Sequence, residues 1–168
     1  MIFRRIRPAG HAAWVVASAL FALLLVTGPA ALAQAPEDVV RLPVEQVIVT
    51  TDKGDIAFAT EIATNDETRS RGLMFRRSMG EREAMLFYWP SPLAVSMWMR
   101  NTYLSLDMLF VAADGTVVHV EADTVPQSLD ELSAGREVSA VMELVAGTAI
   151  KLGIRPGSRL KHRFFDGS

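Results

Sequence analysis

The sequence predicts a mainly β protein, a small single-domain β-barrel or β-sandwich with one or two short helices. Seven or eight short segments have the alternation or apolar content of strands, and turn residues separate them at close spacing. Helical patterns are too few to supply the crossovers of a parallel sheet. The strand candidates are residues 46–51, 55–62, 85–89, 95–99, 107–113, 116–122, 137–145 and 158–164.

The first 33 residues have the pattern of a secretory signal peptide. A positive segment opens the chain, with Arg4, Arg5 and Arg7. The apolar run 12–26 that follows is shorter than the roughly 20 residues of a membrane-spanning helix. Small residues at 31–33 then predict cleavage before Gln34. We therefore expect a periplasmic or secreted protein that meets the membrane only through its signal peptide, with a retained anchor as the alternative.

The mature chain is predicted to begin with a flexible lead-in over 34–44 and to continue as one β-rich domain over 45–165. It contains no cysteine, which excludes disulfides, thiolate metal sites and a thiol nucleophile. Three of the 17 basic residues precede residue 34, which leaves 14 against 19 acidic residues. Because nucleic acid requires a basic surface, we expect no nucleic-acid partner.

Turn residues predict two hairpins. Strands 46–51 and 55–62 flank a turn in which Gly54 can adopt a positive φ. Asp114-Gly115, between two later strand candidates, is the strongest short hairpin signal in the chain.

Two segments have helical patterns. The first is expected to begin at a capping box formed by Thr64 and Glu67 and to run to about Met74. The second, residues 147–152, would be short and would end at Gly153.

Prolines and polar runs predict the remaining breaks. The Pro-Ser-Pro sequence at 90–92 is expected to end strand 85–89. Residues 128–136 form a polar loop, and Pro156-Gly157 fits the centre of a type II turn that leads into the last strand.

Five short motifs occur in one order along the chain. They are Arg71-Gly72-Leu73-Met74-Phe75-Arg76, Met85-Leu86-Phe87, Trp98-Met99-Arg100-Asn101-Thr102, Leu106-Asp107 and Glu143-Leu144-Val145-Ala146-Gly147. Together they resemble domain-of-unknown-function family 192 of bacteria and archaea, over about residues 47–161. The resemblance implies a jelly-roll-like β structure and an exported protein, but no activity, cofactor or catalytic residue. It departs at Ala84, Arg100 and Ser105, where the family usually has Gly, Lys and Pro.

Several polar residues stand among apolar ones and form the candidate site. Asp107 lies between Leu106 and Met108, and Glu143 lies within the apolar run 141–145. A buried carboxyl must be neutral or paired, so we expect arginine partners at positions 71 and 100. The candidate residues are Arg71, Trp98, Arg100, Asn101, Asp107 and Glu143.

This candidate site has two interpretations, a structural ion-pair network or a pocket, and the pocket allows several functions. The first is binding of a small ligand, peptide or sugar, as an accessory module of the cell envelope. The second is a hydrolase or lyase in which Asp107 and Glu143 act as an acid–base pair. The third function is independent of this pocket and is a Cu(I) site, because Met97 and Met99 would share one side of a strand. We expect no resident cofactor, and a small molecule or an envelope protein as partner.

Aromatic side chains are concentrated in the middle third of the chain. They could line a ligand groove or fill the core of a small barrel, and the sequence leaves both open. The residues are Phe87, Tyr88, Trp89, Trp98 and Tyr103.

Overall fold

The computed structural model describes residues 39–165, and the predicted signal peptide and its cleavage site lie outside them. The strands are β1 Val44–Thr51, β2 Gly54–Ala63, β3 Glu83–Ala94, β4 Leu106–Val111, β5 Val117–Glu121, β6 Glu137–Val145 and β7 Arg159–Lys161. The helices are α1 Asp66–Arg71 and α2 Thr148–Leu152. This confirms the predicted mainly β class. No helix within residues 39–165 is long and apolar enough to cross a membrane.

One curled, half-barrel sheet contains all seven strands, in the order β5-β4-β6-β3-β2-β1-β7. All neighbours are antiparallel except β2 and β3. The two ends of this order meet at a seam, where Thr116 and Arg159 form an isolated bridge. There the Leu160 amide donates to the Gly115 carbonyl at 2.8 Å, and the Val117 amide donates to the Ser158 carbonyl at 2.8 Å.

Two apolar clusters lie on opposite faces of this sheet. The first draws buried side chains from every strand, Phe58, Leu86 and Met142 among them, and fills the inside of the curl. The second covers the outer face of β3, β4 and β6, where Phe87 and Phe110 pack under residues of the connecting loops. Because successive strand residues point to opposite faces, β3, β4 and β6 are buried on both sides.

Most predicted elements are found. The first hairpin pairs β1 with β2, and the second pairs β4 with β5 around Gly115. Strand β6 has the predicted bounds. Helix α2 ends at Gly153, whose φ of 76° is left-handed, as expected for a glycine in this position.

The predicted start and end of the first helix are wrong. Its N-cap is Asn65 rather than Thr64, and the Asn65 side chain accepts from the Thr68 amide at 2.8 Å. The helix ends at Arg71, because Gly72 leaves the helical conformation with φ 48°. An added Cβ at Gly72 would lie 3.1 Å from the Phe87 ring, so glycine permits the helix end to approach the sheet closely.

Three strand predictions also require correction. The prolines at 90–92 do not end β3, because pairing with β6 shifts between Tyr88 and Leu93 and then resumes. This irregularity leaves residues 90–92 outside the ladder, so prolines, which cannot donate there, are tolerated. Predicted strand 95–99 is reduced to a single bridge between Met97 and Leu132. The last strand is only three residues long.

Candidate functional site

Four side chains form a row across the outer face of the sheet. Glu61 of β2 pairs with Met85 of β3, which pairs with Glu143 of β6, which pairs with Met108 of β4. Neighbouring strands are about 4.8 Å apart, so roughly 10 Å separates the backbones that carry the two glutamates. Both methionines are fully buried. The row therefore places two carboxyl groups in a largely apolar layer.

Glu61 is a fully paired buried carboxylate. Arg76 donates to both of its oxygens at 2.6 Å, and the Leu42 amide donates a third hydrogen bond at 2.8 Å. Burial by itself would raise the pKa of Glu61, but these donors outweigh it and hold that pKa below its ordinary value. Arg76 also donates to the Val40 carbonyl at 2.8 Å, so this pair attaches residues 40–42 of the lead-in to the sheet.

Glu143, by contrast, has no hydrogen-bond or ion-pair partner within residues 39–165, although only 4% of its surface is exposed. Desolvation by burial raises its pKa to about 8, against the opposing charge of Arg76. Below that pH the side chain is a neutral carboxylic acid with one O–H to donate. The burial follows from the neighbours in the row, Met85 and Met108, on the strands at either side.

A cleft of about 270 Å³ opens beside Glu143. One wall is the end of α1 with the turn that follows it, and the loop that contains Trp98 forms another. Trp98 is 50% exposed and Trp89 is half-buried, so both can contact a ligand. The lining residues are Asp66, Arg69, Ser70, Arg71, Gly72, Leu73, Met74, Phe87, Trp89, Ser96, Met97, Trp98, Arg100, Thr102 and Glu143.

Three guanidinium groups surround this cleft. Arg69 pairs with Asp66 at 2.6 Å, donates to the Thr64 and Tyr88 carbonyls, and lies 5.3 Å from the Trp89 ring centroid. The Arg71 guanidinium lies 4.7 Å from the Phe75 ring centroid. Arg100 is exposed and makes no ion pair with any described residue. The walls therefore carry more positive than negative charge while the buried acid is protonated.

The cleft brings together four of the six candidate residues, namely Arg71, Trp98, Arg100 and Glu143. Asn101 lies beside it and joins two loops instead. Its φ of 55° is left-handed, a conformation that asparagine tolerates, and its carbonyl accepts from the Phe75 amide at 2.8 Å.

Asp107 belongs to a different part of the fold. It is fully buried, and it accepts from the Ala149 amide at 2.8 Å and the Asp123 amide at 3.1 Å. It pairs with Leu144, whereas Glu143 pairs with Met108, so the two carboxyls point to opposite faces of the sheet. They cannot act together on one substrate, and the predicted acid–base pair is wrong. The predicted arginine partner of Asp107 is wrong too, because backbone amides satisfy it.

Sequence reasoning did not select Glu61 and Arg76 for this outer face. Residues 76–83 are mostly polar in sequence, yet Arg76 is only 3% exposed. The available signal was Glu61 itself, an acid directly followed by the apolar residues Ile62 and Ala63. Such an acid on a buried strand requires a cation, and the polar segment after α1 was the nearest source.

The methionines and aromatic residues have divided roles. Met99 is buried in the outer cluster, while Met97 packs against that cluster and lines the cleft. Phe87 is buried in the outer cluster and borders the cleft, whereas Trp89 and Trp98 are the more exposed aromatic residues of the lining. Residues 39–165 contain no group of three His, Asp or Glu side chains placed to hold a metal ion.

Comparison with known proteins agrees with the motifs. The family model DUF192, described as Uncharacterized ACR, matches residues 47–162. A crystal structure from Sinorhizobium meliloti 1021, described only provisionally as a transcription regulator, is 41% identical, with TM-score 0.70 over 73% of this chain and 95% of that one. A protein of unknown function from Novosphingobium aromaticivorans is 36% identical, with TM-score 0.72 over 76% of this chain and 91% of that one. No curated protein matches. The chain belongs to the DUF192 family.

Proposed function

We propose that this protein is an exported cell-envelope module that binds a small molecule in the cleft, with Glu143 at the inner end of its binding site. The observation that carries the proposal is a buried carboxyl without a partner in the described part of the chain, beside an open cleft. Buried polar side chains in proteins nearly always have a hydrogen-bond partner. A ligand in the cleft would supply that partner.

A purely structural role explains Glu143 less well. The outer face already has a structural ion pair, because Glu61 and Arg76 satisfy each other. Glu143 adds no hydrogen bond to this network, and keeping it buried costs free energy whenever it is ionised.

Binding is favoured over two other functions, hydrolysis by an acid–base pair and binding of nucleic acid. Hydrolysis by Asp107 and Glu143 lacks the required geometry, since the two residues face opposite sides of the sheet. Binding of nucleic acid, which the provisional description of the Sinorhizobium relative would suggest, is disfavoured by the excess of acidic residues after residue 33. The signal-peptide pattern supports an envelope location.

A thermal-shift screen of the purified protein with sugars, amino acids, peptides and organic acids tests the proposal. Ligand at about 100 times its Kd should stabilise the protein by about 2.7 kcal/mol, a shift of several degrees. Ser96→Trp should abolish the shift, because Ser96 lines the cleft. Ser133→Trp, at an exposed serine outside the cleft, is the matched control and should keep it.

Two results would contradict this proposal. One is that no compound of any class shifts the melting temperature. The other is that Ser96→Trp and Ser133→Trp retain the same shift. Export is tested on the same protein, because its N-terminus after recovery from the periplasm should be Gln34.

A further inference from the structure

We propose that the ligand is an organic carboxylate, held by Arg100 at the mouth of the cleft and by a hydrogen bond from the Glu143 carboxylic acid at its inner end. This inference rests on the proposed function and names its ligand class. Both residues line the same cleft of about 270 Å³, so one small molecule can touch both.

The charges around the cleft favour an anion. Asp66, the acidic residue at the end of the cleft near α1, forms an ion pair with Arg69. Arg100 is exposed and has no ion pair among the described residues. Guanidinium groups bind carboxylates through paired N–H donors, a geometry that a neutral ligand cannot use as fully.

The inner end of the cleft favours the same ligand class. Glu143 is protonated at neutral pH, and an O–H donated to a carboxylate oxygen is a short, strong hydrogen bond. A cationic ligand would require ionised Glu143 and would be repelled by the exposed Arg100. An anion near Glu143 favours the protonated acid further, so binding and protonation support each other.

The side chains that the surrounding elements place around Glu143 are uncharged, paired or positive. Strands β3 and β4 contribute the uncharged Met85 and Met108. The segment after α1 contributes Arg76, whose charge is balanced by Glu61 of β2. Helix α1 contributes Asp66, Arg69 and Arg71, and the loop after β3 contributes Arg100.

The aromatic walls indicate that the anion carries an apolar or planar part. Half the surface of Trp98 is exposed, and Trp89 lies nearby in the same lining. Flat rings of this kind contact apolar ligand faces, a contact that inorganic phosphate or sulfate does not provide.

Three probes that share one ring test the ligand class by calorimetry between pH 6 and pH 9. They are indole-3-acetate, its neutral amide indole-3-acetamide, and the cation tryptamine. We expect the acetate to bind about tenfold more tightly than the amide, with tryptamine weakest. Above about pH 8, affinity for the acetate should fall about tenfold per pH unit, because the proton of Glu143 is then lost.

Matched variants assign the effect to the two residues. Glu143→Gln keeps a donor that does not titrate, so it should remove the fall in affinity above pH 8. Arg100→Gln should weaken binding of the acetate about tenfold and leave the amide unchanged. Arg136→Gln, at an exposed arginine outside the cleft, should change neither.

The outcomes separate this inference from the proposed function. Equal or tighter binding of the amide or of tryptamine would overturn the carboxylate and leave a ligand-binding cleft standing. Affinity for the acetate that is constant from pH 6 to pH 9 would overturn the contact with Glu143. Failure of all three probes would overturn the inference, while the broader screen with Ser96→Trp would still decide the proposed function.

Discussion

At the scale of single residues, two buried acids of this protein differ in their hydrogen-bond partners. Asp107 accepts hydrogen bonds from two backbone amides, one in the loop after β5 and one in the first turn of α2. Its role is therefore structural. Glu143 lies on the other face of the sheet among methionines and has no such donors within the described chain. Their apolar neighbours in sequence predicted that both would be buried. Only the structure distinguishes the acid that backbone amides hold from the acid that lines the cleft.

The raised pKa of Glu143 predicts a stability that falls as pH rises. The carboxyl has its ordinary pKa of 4.5 in the unfolded chain and a pKa of about 8 in the folded protein, so the folded state binds more protons between these values. This contribution is fully favourable below pH 4.5 and is lost progressively up to pH 8. Relative to Glu143→Gln, the wild type should lose about 2–3 kcal/mol of unfolding free energy between pH 5 and pH 7.

Urea unfolding of both proteins at several pH values measures this difference. Glu137→Gln removes an exposed carboxyl from the same strand and should unfold in parallel with the wild type. A constant difference between wild type and Glu143→Gln across this pH range would show that Glu143 is ionised, or solvated, in the folded protein.

At the scale of elements, local sequence patterns located the strands and helices but misplaced several ends. The Pro-Ser-Pro sequence was predicted to end β3. The strand continues through it, because the irregular pairing with β6 leaves those residues without ladder hydrogen bonds. Thr64 and Glu67 had the spacing of a capping box, but Asn65 and Thr68 form it. Asn65 has an extended backbone, with φ −123° and ψ 166°, so the helix begins one residue later than the Thr64 pattern predicted.

The N-cap of α1 can be tested directly. Asn65→Ala should cost about 1 kcal/mol of unfolding free energy, because the Thr68 amide loses its acceptor. Thr64→Ala should cost much less, since the Thr64 side chain is exposed and makes no hydrogen bond within the described residues. Denaturant unfolding of both variants measures the two costs. A larger loss of unfolding free energy for Thr64→Ala would show that Thr64 is the N-cap, as the sequence predicted.

At the scale of the whole molecule, the seam between the first and last strands of the sheet order holds the half-barrel in its curl. Gly115 lies on this seam with φ 84°, and a Cβ there would be 2.5 Å from the Leu160 carbonyl oxygen. The backbones on the two sides approach too closely for any side chain. Closure of the sheet therefore depends on glycine at this position.

Gly115→Ala should destabilise the fold by about 2–4 kcal/mol, through the positive φ together with the clash across the seam. Gly147→Ala is the matched control, because its φ is 81° with no atom within 4 Å of the added Cβ, and it should cost about 1 kcal/mol. Thermal and urea unfolding compare the two variants. Equal losses would mean that φ alone matters and that the seam can open without penalty.

The sequence by itself determined the mainly β class, both hairpins, the bounds of β6, and the burial of Asp107 and Glu143. These features depend on alternation and on turn residues, which act between neighbours in the chain. Tertiary structure decided the surroundings of the buried polar side chains. Arg76 pairs with Glu61, Asp107 accepts hydrogen bonds from two backbone amides, and Glu143 lines an open cleft. Those contacts depend on the register of strands far apart in sequence, and a shift of one residue would turn each side chain to the other face.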